Sequence, residues 1–459
     1  MGQKIDRTYL FERMPVGQAV RRQIIPSIAS QMVILLYNLA DTYFVGLLND
    51  ASQTAAVSLA YSVTLLMTAL ANLFAVGGAG RIAQLLGRRD RDGAREVCAV
   101  SFWFALLASA AFCVLFTLLS SPILRLCGAT DETYALACGY SRWVISVGGT
   151  FSILNTFLAN LIRADGSAFA ASMGVSAGGI INMLLDPLFV LPRFLGMGAE
   201  GAGLATAISN AAGMLILLGI IAARRRVGVV ALRPGDLRAA RRHIGRILRI
   251  GLPSAVQFLL TLVAVGALTK FMSLYDTAAV AALGIVKKLD MLPLYFSIGV
   301  ANGLLPLLAY NYSAENHERR HRIFLCGCAV AVGFSVVCVA GYEVFAPALV
   351  RIFIGDAQTI AYGTKLLRIM VLAMPMMSVC YPMITQFQAM GRMRESLICS
   401  ILRKGSLDIP LLFVLNALRL NFSASLACVI FLSSCVIPTE NVVHDSVQRL
   451  LSTAIGLVT

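Results

Sequence analysis

The sequence predicts an all-α polytopic membrane protein with twelve transmembrane helices in two pseudo-symmetric six-helix bundles. Three observations carry this reading. Apolar residues make up 58% of the 459-residue chain and charged residues 13%, about half the roughly 25% of an average globular protein. Mean hydropathy is +0.79, and apolar runs recur from about residue 24 almost to the C-terminus. The second half of the chain also repeats the first. Composition alone excludes a disordered chain, and most of the sequence is expected to be dissolved in lipid.

Apolar segments fall at 24–47, 53–86, 96–119, 134–162, 168–192, 200–223, 247–273, 278–311, 322–345, 361–388, 394–418 and 422–438. A helix needs about 20 residues to cross the hydrocarbon core, so the longer runs predict tilt, kinks or extension beyond the bilayer. The first 22 residues are polar, which predicts a cytoplasmic segment (1–22) and no cleavable signal peptide. A first six-helix bundle follows at 23–223, then a basic cytoplasmic linker at 224–246. A second bundle at 247–438 and an atypical tail at 439–459 complete the expected domains.

The net charge of +15 comes from 38 Lys and Arg against 23 Asp and Glu. Position shows that it is no nucleic-acid signature. Arg88, Arg89, Arg91 and Arg95, then Arg224 to Arg226, Arg241 and Arg242, then Arg319, Arg320 and Arg322, then Arg392 and Arg394 lie between apolar runs, as does Arg163. They follow the even-numbered spans, whereas the loops after the odd-numbered spans hold Asn49-Asp50, Asp131-Glu132, the stretch Arg193 to Glu200, Asp276 and Asp356. Basic loops stay cytoplasmic during insertion, which places both termini in the cytoplasm.

The repeat has an offset of about 222 residues. Pro26-Ser27 recurs as Pro253-Ser254, Ala55-Ala56-Val57 as Ala278-Ala279-Val280, and the Gly77 neighbourhood as that of Gly299. Arg163-Ala164-Asp165-Gly166 matches Gln388-Ala389-Met390-Gly391, and Asp186-Pro187 and the residues after it are echoed at Ile409-Pro410-Leu411. Parallel six-helix repeats are a transporter architecture with a binding site near mid-membrane, although duplication also serves stability.

Ionisable groups inside the hydrocarbon cost roughly 2.5–3.5 kcal/mol each, so they mark candidate sites. Asp41 lies 15 residues after Pro26 in the outward half of span 1, beyond Tyr37 and Asn38. Asn182 and Asp186 are four apart on one face of span 5, and Thr206 and Asn210 are four apart in span 6. The competing readings are a structural acid capped by a neighbouring helix and interhelical hydrogen-bond glue. Against them stands the gathering of both acids in one half, with no intramembrane Arg or Lys expected there to neutralise them. Two carboxylates sharing a poorly solvated place cannot both ionise cheaply, which suits a proton-exchanging site. Pro26 is the natural hinge because proline removes a backbone hydrogen bond.

Elsewhere, Lys270, Lys287 with Asp290, and Lys404 with Asp408 read as neutralised structural pairs or lone structural groups. Asn155, Met183, Gln257 and Met291 are cavity candidates; Asn302, Gln386, Gln388, Met376 and Met377 are equally plausible as packing. The eleven cysteines are scattered through apolar stretches, and Cys326-Gly-Cys328 lacks the second pair of a zinc site. The four histidines, His243, His317, His321 and His444, fall in loops or the tail. Without a nucleophile and base or a His-Glu-x-x-His motif, an enzyme is not expected. Nothing resembles the repeated carbonyls or charged ring of a channel.

The segment Pro26 to Gly46, ending Ala40-Asp41-Thr42-Tyr43-Phe44-Val45-Gly46, resembles the first helix of MATE (multidrug and toxic compound extrusion) transporters. Ile180 to Pro187, Gly201 to Asn210, Ile250 to Gln257 and Gly284 to Tyr312 resemble the same family, and the likeness runs from about residue 15 to 416. It implies two lobes around a V-shaped cavity and efflux of organic cations in exchange for protons or sodium, with no cofactor. In the bacterial DinF-like branch, the first-lobe cation site matches Asp41, Asn182, Asp186 and Thr206. The sodium-linked branch usually has an acid in span 7, where Gln257 stands here. That favours protons, while sodium at Asp41, Asn182, Asp186 and Thr206 stays open. The expected partners are small organic cations and membrane lipids, not nucleic acid, and the expected setting is a monomer in the bacterial inner membrane. A lipid-linked oligosaccharide flippase of the same superfamily is the alternative, but it would line its cavity with Arg.

One departure stands out: after Asn416-Ala417-Leu418 the chain does not continue as the family does. Ser423 to Ile437 is short for a span, which suggests a reading frame or gene end altered after about Leu418. Close relatives carrying the same tail would overturn that reading.

Overall fold

The computed structural model describes residues 8–48, 50–127, 129–224, 228–230, 232, 240–272, 277–354 and 356–403. Almost everything described is helix. Short loops join long helices: α1 (Val16–Gly46), α2 (Ala51–Gly87), α3 (Arg91–Leu126), α4 (Asp131–Ser141), α5 (Gly149–Ala164), α6 (Ala168–Val190), α7 (Gly198–Ala223), α8 (Ala240–Met272), α9 (Thr277–Ser313), α10 (His317–Arg351), α11 (Ala357–Leu372), α12 (Met374–Met390) and α13 (Met393–Arg403). Several begin on a polar cap. Asp90 accepts from Gly93 N–H (2.8 Å) to start α3, Asn316 from Arg319 N–H (3.1 Å) to start α10, and Asp356 from Thr359 N–H (2.8 Å) to start α11. The Thr359 side chain and backbone together hold the Asp356 carboxyl below its ordinary range.

Among the described residues, eight helices are long and apolar enough to cross a membrane, and two bent pairs bring the number to ten. These correspond to the first ten predicted spans. The eleventh begins as α13, whereas Lys404, Asp408, the rest of that span, the twelfth span and the tail lie outside the described residues. Large apolar side chains such as Leu107, Leu118, Leu184, Val337 and Val344 are exposed on the outside of the bundle, as a lipid-facing surface requires.

Three details refine the sequence reading, which expected kinks and extension without placing them. The fourth span is not one helix: α4 passes through a π-helical stretch, Arg142–Val147, and α5 leaves at 47°. Gly148 sits at that break, where a Cβ would come 2.7 Å from the carbonyl oxygen of Trp143 and 3.0 Å from Ala207 Cβ. The tenth span breaks in the matching place, α11 and α12 meeting at 45°, because Pro375 cannot donate a backbone hydrogen bond to a continuous helix. The third difference is length. α1 starts at Val16, inside the expected N-terminal segment, and α8 starts at Ala240, inside the expected linker. Arg241, Arg242 and Arg246 keep this end of α8 in contact with water through exposed side chains. Pro26, by contrast, leaves α1 helical on both sides. Nearby hydroxyls turn back onto the chain, Ser27 Oγ donating to Gln23 O (2.8 Å) and Ser30 Oγ to Ser27 O (2.9 Å).

The buried core has a particular distribution. At the end that carries the basic loops, one cluster takes residues from both halves, including Phe11, Ile24, Ile82, Phe157, Leu161, Ile247, Leu304 and Leu307. Toward the opposite end the core divides. Val45, Val63, Tyr140, Ile145, Val190 and Ala202 form one part, and Ala282, Val286, Ala346, Val350 and Leu367 form another. The halves are thus joined at the basic end and packed separately beyond it.

Glycines make the joint. Lipid tails are as apolar as leucine, so helices associate through close van der Waals packing rather than hydrophobic exclusion. A Cβ on Gly77 of α2 would collide with the carbonyl of Ile247 on α8, and one on Gly251 of α8 with the carbonyl of Leu73 on α2. In the other seam, a Cβ on Gly299 of α9 would lie 2.7 Å from Ile28 Cα and one on Gly303 2.8 Å from Gln23 O, both on α1. Gly77 and Gly299 are the repeated pair found in the sequence.

The N-terminal stretch is strapped across this joint. Phe11 stacks on Tyr310 (centroids 4.7 Å apart), Tyr310 donates to Glu12 Oε1 (2.8 Å), and Arg319 donates to the carbonyls of Phe11 (2.8 Å) and Met14 (2.7 Å).

Gly251→Ala should therefore lower the stability of the purified protein by about 1–3 kcal/mol, because a backbone carbonyl cannot move aside for the methyl group. Thermal unfolding in detergent measures this, with Gly219→Ala as control: nothing lies within 4 Å of a Cβ at Gly219.

Candidate functional site

The first half gathers its polar residues between α1, α4, α6 and α7, away from the basic end. Small residues bring these helices together. A Cβ on Gly179 of α6 would come 2.6 Å from Val33 Cγ1 and 3.2 Å from Tyr37 Cδ1 on α1, and one on Gly178 would come 3.1 Å from Ser209 O on α7. α6 is thus wedged against α1 on one side and α7 on the other. The four-residue spacings then place Asn182 above Asp186 on α6, and Tyr37 above Asp41 on α1.

Asp186 and Asn182 are buried, at 0% and 1% exposure. The Asn182 amide, Nδ2, donates to Asp186 Oδ1 (3.3 Å) and to Thr206 Oγ1 on α7 (3.4 Å). The Tyr140 hydroxyl lies beside Asp41, and the two carboxylates lie within electrostatic reach of each other and of Tyr37 and Tyr140. Behind Thr206 a further layer is tied down. Asn210 Nδ2 donates to Thr206 O (2.9 Å), and Asn155 Nδ2 to Asn210 Oδ1 (3.3 Å).

Four buried oxygens here have no hydrogen-bond donor: Asp41 Oδ1, Asp186 Oδ2, Asn182 Oδ1 and Asn155 Oδ1. A buried polar atom without a partner is destabilising by about 1–3 kcal/mol. Unpartnered acceptors that include two carboxylates fit a proton or a small hard cation, since both supply positive charge to oxygen.

The structure brings Asp41, Asn182, Asp186 and Thr206 together, with Tyr37, Asn155 and Asn210 around them and Met183, half-buried, next along α6 from Asn182. The other cavity candidates go elsewhere. Asn38 Nδ2 reaches across to Tyr295 OH on α9 (3.4 Å), while Gln257 and Met291 belong to α8 and α9 of the other half. Within that half, Ser297 Oγ donates to Ser378 Oγ (3.2 Å) and Ser378 Oγ to Ser335 Oγ (3.0 Å), a ladder of hydroxyls linking α9, α12 and α10.

One expectation needs correction. The first half does bury arginines, Arg81 at 4% exposure and Arg163 at 3%. They sit at the basic ends of α2 and α5, where Arg81 donates to Gln84 Oε1 (3.1 Å) and Arg163 to Ser30 Oγ (3.1 Å). Sequence hydropathy did not show them as buried because both border basic loops. They lie at the other end of the bundle from Asp41. Tyr140 is the site residue that the sequence reading missed. A tyrosine in an apolar helix reads as core, and only the position of its hydroxyl distinguishes it.

Comparison with known proteins fits this architecture. A sequence model described as MatE matches the chain twice, over residues 26–188 and 253–414. The multidrug export protein MepA of Staphylococcus aureus (strain NCTC 8325 / PS 47) is 29% identical over 416 residues, covering 90% of each chain, and MepA of Staphylococcus saprophyticus is 26% identical over 415 residues with the same coverage. Among solved structures, an outward-facing multidrug resistance MATE family transporter of the MOP superfamily shares the fold at a TM-score of 0.88, with 24% identity over 99% of this chain and 100% of that one. A MOP superfamily transporter from Pyrococcus furiosus, described as having a binding pocket of reverse polarity, aligns at a TM-score of 0.85 with 25% identity, covering 95% of this chain and 97% of that one. With its two halves matched separately over most of its length, the chain belongs to the MatE family.

Proposed function

We propose that this protein exports small organic cations across the bacterial cytoplasmic membrane in exchange for protons, with Asp41 and Asp186 as the exchanging groups. The observation that carries the proposal is the meeting of two carboxylates in one poorly solvated cluster with unpartnered oxygens, far from the buried arginines of the same half. The multidrug export activity in the names of the MepA relatives supports it.

Exchange follows from charge. Deprotonated, the pair attracts a cation; protonated, it does not, so solute and proton compete for the same oxygens. The membrane potential adds about 2.3 kcal/mol per 100 mV for each proton moved inward. Basic loops on the cytoplasmic side would put both termini inside and turn the divided end of the core outward. In that orientation the seams of α2 with α8 and α1 with α9 close the cytoplasmic side. Closure of the divided end and opening of the seams would move the cluster from one side to the other, with the protein acting as a monomer. Asn155, Asn210, Asn38, Tyr37, Met183, Gln257 and Met291 are the proposed cavity wall, and Pro26 the proposed hinge of α1. Sodium is the competing coupling ion, because carboxylate, amide and hydroxyl oxygens at Asp41, Asp186, Asn182 and Thr206 suit it as well. A carrier of anionic lipid-linked sugars would need arginines where this chain has acids.

Asp41→Asn should abolish cation efflux driven by a pH gradient while the protein still inserts and folds. Dye transport in inverted vesicles, energised by a pH gradient and then by a sodium gradient, measures both activity and coupling; full transport by the Asn variant would refute the role, and transport driven by sodium alone would assign the other ion. Tyr140→Phe, which removes the hydroxyl beside Asp41, should slow the same efflux by roughly two- to tenfold, measured as the initial rate at saturating dye.

A further inference from the structure

The seam between α2 and α8 holds a second polar cluster that takes no part in the export site. Its register follows from the glycine contacts: Leu73 touches Gly251 and Gly77 touches Ile247. One helical turn nearer the basic end, the antiparallel helices bring Arg81 opposite His243. Both side chains are buried, at 4% and 2% exposure. Each also has a buried nitrogen without a hydrogen-bond partner, Arg81 Nε and His243 Nδ1. The remaining contacts are specific. Arg81 Nη1 donates to Gln84 Oε1 (3.1 Å), and His243 Nε2 pairs with Glu96 Oε2 on α3 (2.9 Å).

The surroundings are strongly positive. The charges that act most strongly on Arg81 belong to Arg246, Arg88, Asp90 and Arg242, and Arg88, Arg242 and Arg246 are exposed. Asp90 and Glu96 are the acids of this group: Asp90 Oδ1 is already used to cap α3 through Gly93 N–H, and Glu96 Oε2 is taken by His243 Nε2. Guanidinium groups held together repel one another unless an anion lies between them, and their planar forks match phosphate oxygens. At the basic end of a membrane bundle, the anions at hand are the phosphates of lipid headgroups and free phosphates in solution.

We propose that Arg81, His243, Arg242 and Arg246 form a binding site for a phosphate group at the junction of the two halves. The bound phosphate would accept from Arg81 at its buried side and from Arg242 and Arg246 at its exposed side. Arg81 comes from the first half and the other three from the second, so occupancy would tie α2 to α8 and hold this end closed. The site is independent of the solute exported and of the coupling ion.

The test uses the purified full-length protein. Its thermal unfolding in detergent is measured with added phosphatidylglycerol, with phosphatidylcholine, and with inorganic phosphate against chloride at equal ionic strength. Native mass spectrometry counts the lipid bound. Phosphatidylglycerol or inorganic phosphate should raise the unfolding temperature where phosphatidylcholine and chloride do not; a response to the lipid alone assigns the headgroup, and a response to inorganic phosphate assigns the free anion. The double variant Arg242→Gln/Arg246→Gln should bind at least about tenfold more weakly. Both positions are exposed, so this variant keeps the test decisive even if Arg81→Gln fails to fold. Arg21→Gln/Arg22→Gln, which removes the same charge from exposed positions on α1, should bind as the unmodified protein does. An equal loss in that control, unchanged binding by the Arg242/Arg246 variant, or no preference of the unmodified protein for either phosphate would overturn the proposal.

Discussion

Backbone-to-backbone contact at the basic end is the constraint on which the rest of the architecture depends. In lipid, apolar side chains gain little by meeting each other, so two bundles remain joined only where their backbones approach closely. Gly77 and Gly251 provide that approach between α2 and α8, as Gly299 and Gly303 do between α9 and α1. Because the joint sits at one end, the core is shared there and divided beyond it. The polar cluster of the first half lies on the divided side, around Asp41 near the far end of α1.

The two halves carry one plan with unequal chemistry. Both have a long first helix containing a proline, Pro26 and Pro253, and both break their fourth span by about the same angle. Yet the first half places carboxylates, amides and Thr206 in its interior, whereas the second lines up the hydroxyls of Ser297, Ser378 and Ser335. Duplication preserved the scaffold while the side chains inside it diverged.

Much of this was legible in the sequence. Hydropathy located the first ten spans, the energetic penalty of ionised groups in hydrocarbon singled out Asp41 and Asp186, and four-residue spacing singled out Asn182 and Thr206; the fold brings all four together. What escaped had physical reasons. Tyr140 is amphipathic, so hydropathy counts it as core while its hydroxyl lies beside Asp41. The break at Gly148 depends on contacts with Trp143 and Ala207, the latter nearly sixty residues away. Arg81 and Arg163 border basic loops, where sequence cannot separate a snorkelling side chain from a buried one. Asn38, close to Asp41 in sequence, turns to Tyr295 because its side of α1 faces the other half.

The seams have an evolutionary consequence. Where two side chains meet, a larger residue on one helix can be accommodated by a smaller one on the other. At Gly77 and Gly251 the opposing atoms are carbonyl oxygens, which no substitution can shrink. Compensating pairs of changes are therefore closed to these positions, whereas they stay open wherever side chain meets side chain. The seam on which the two halves meet is therefore the part of this fold least free to drift.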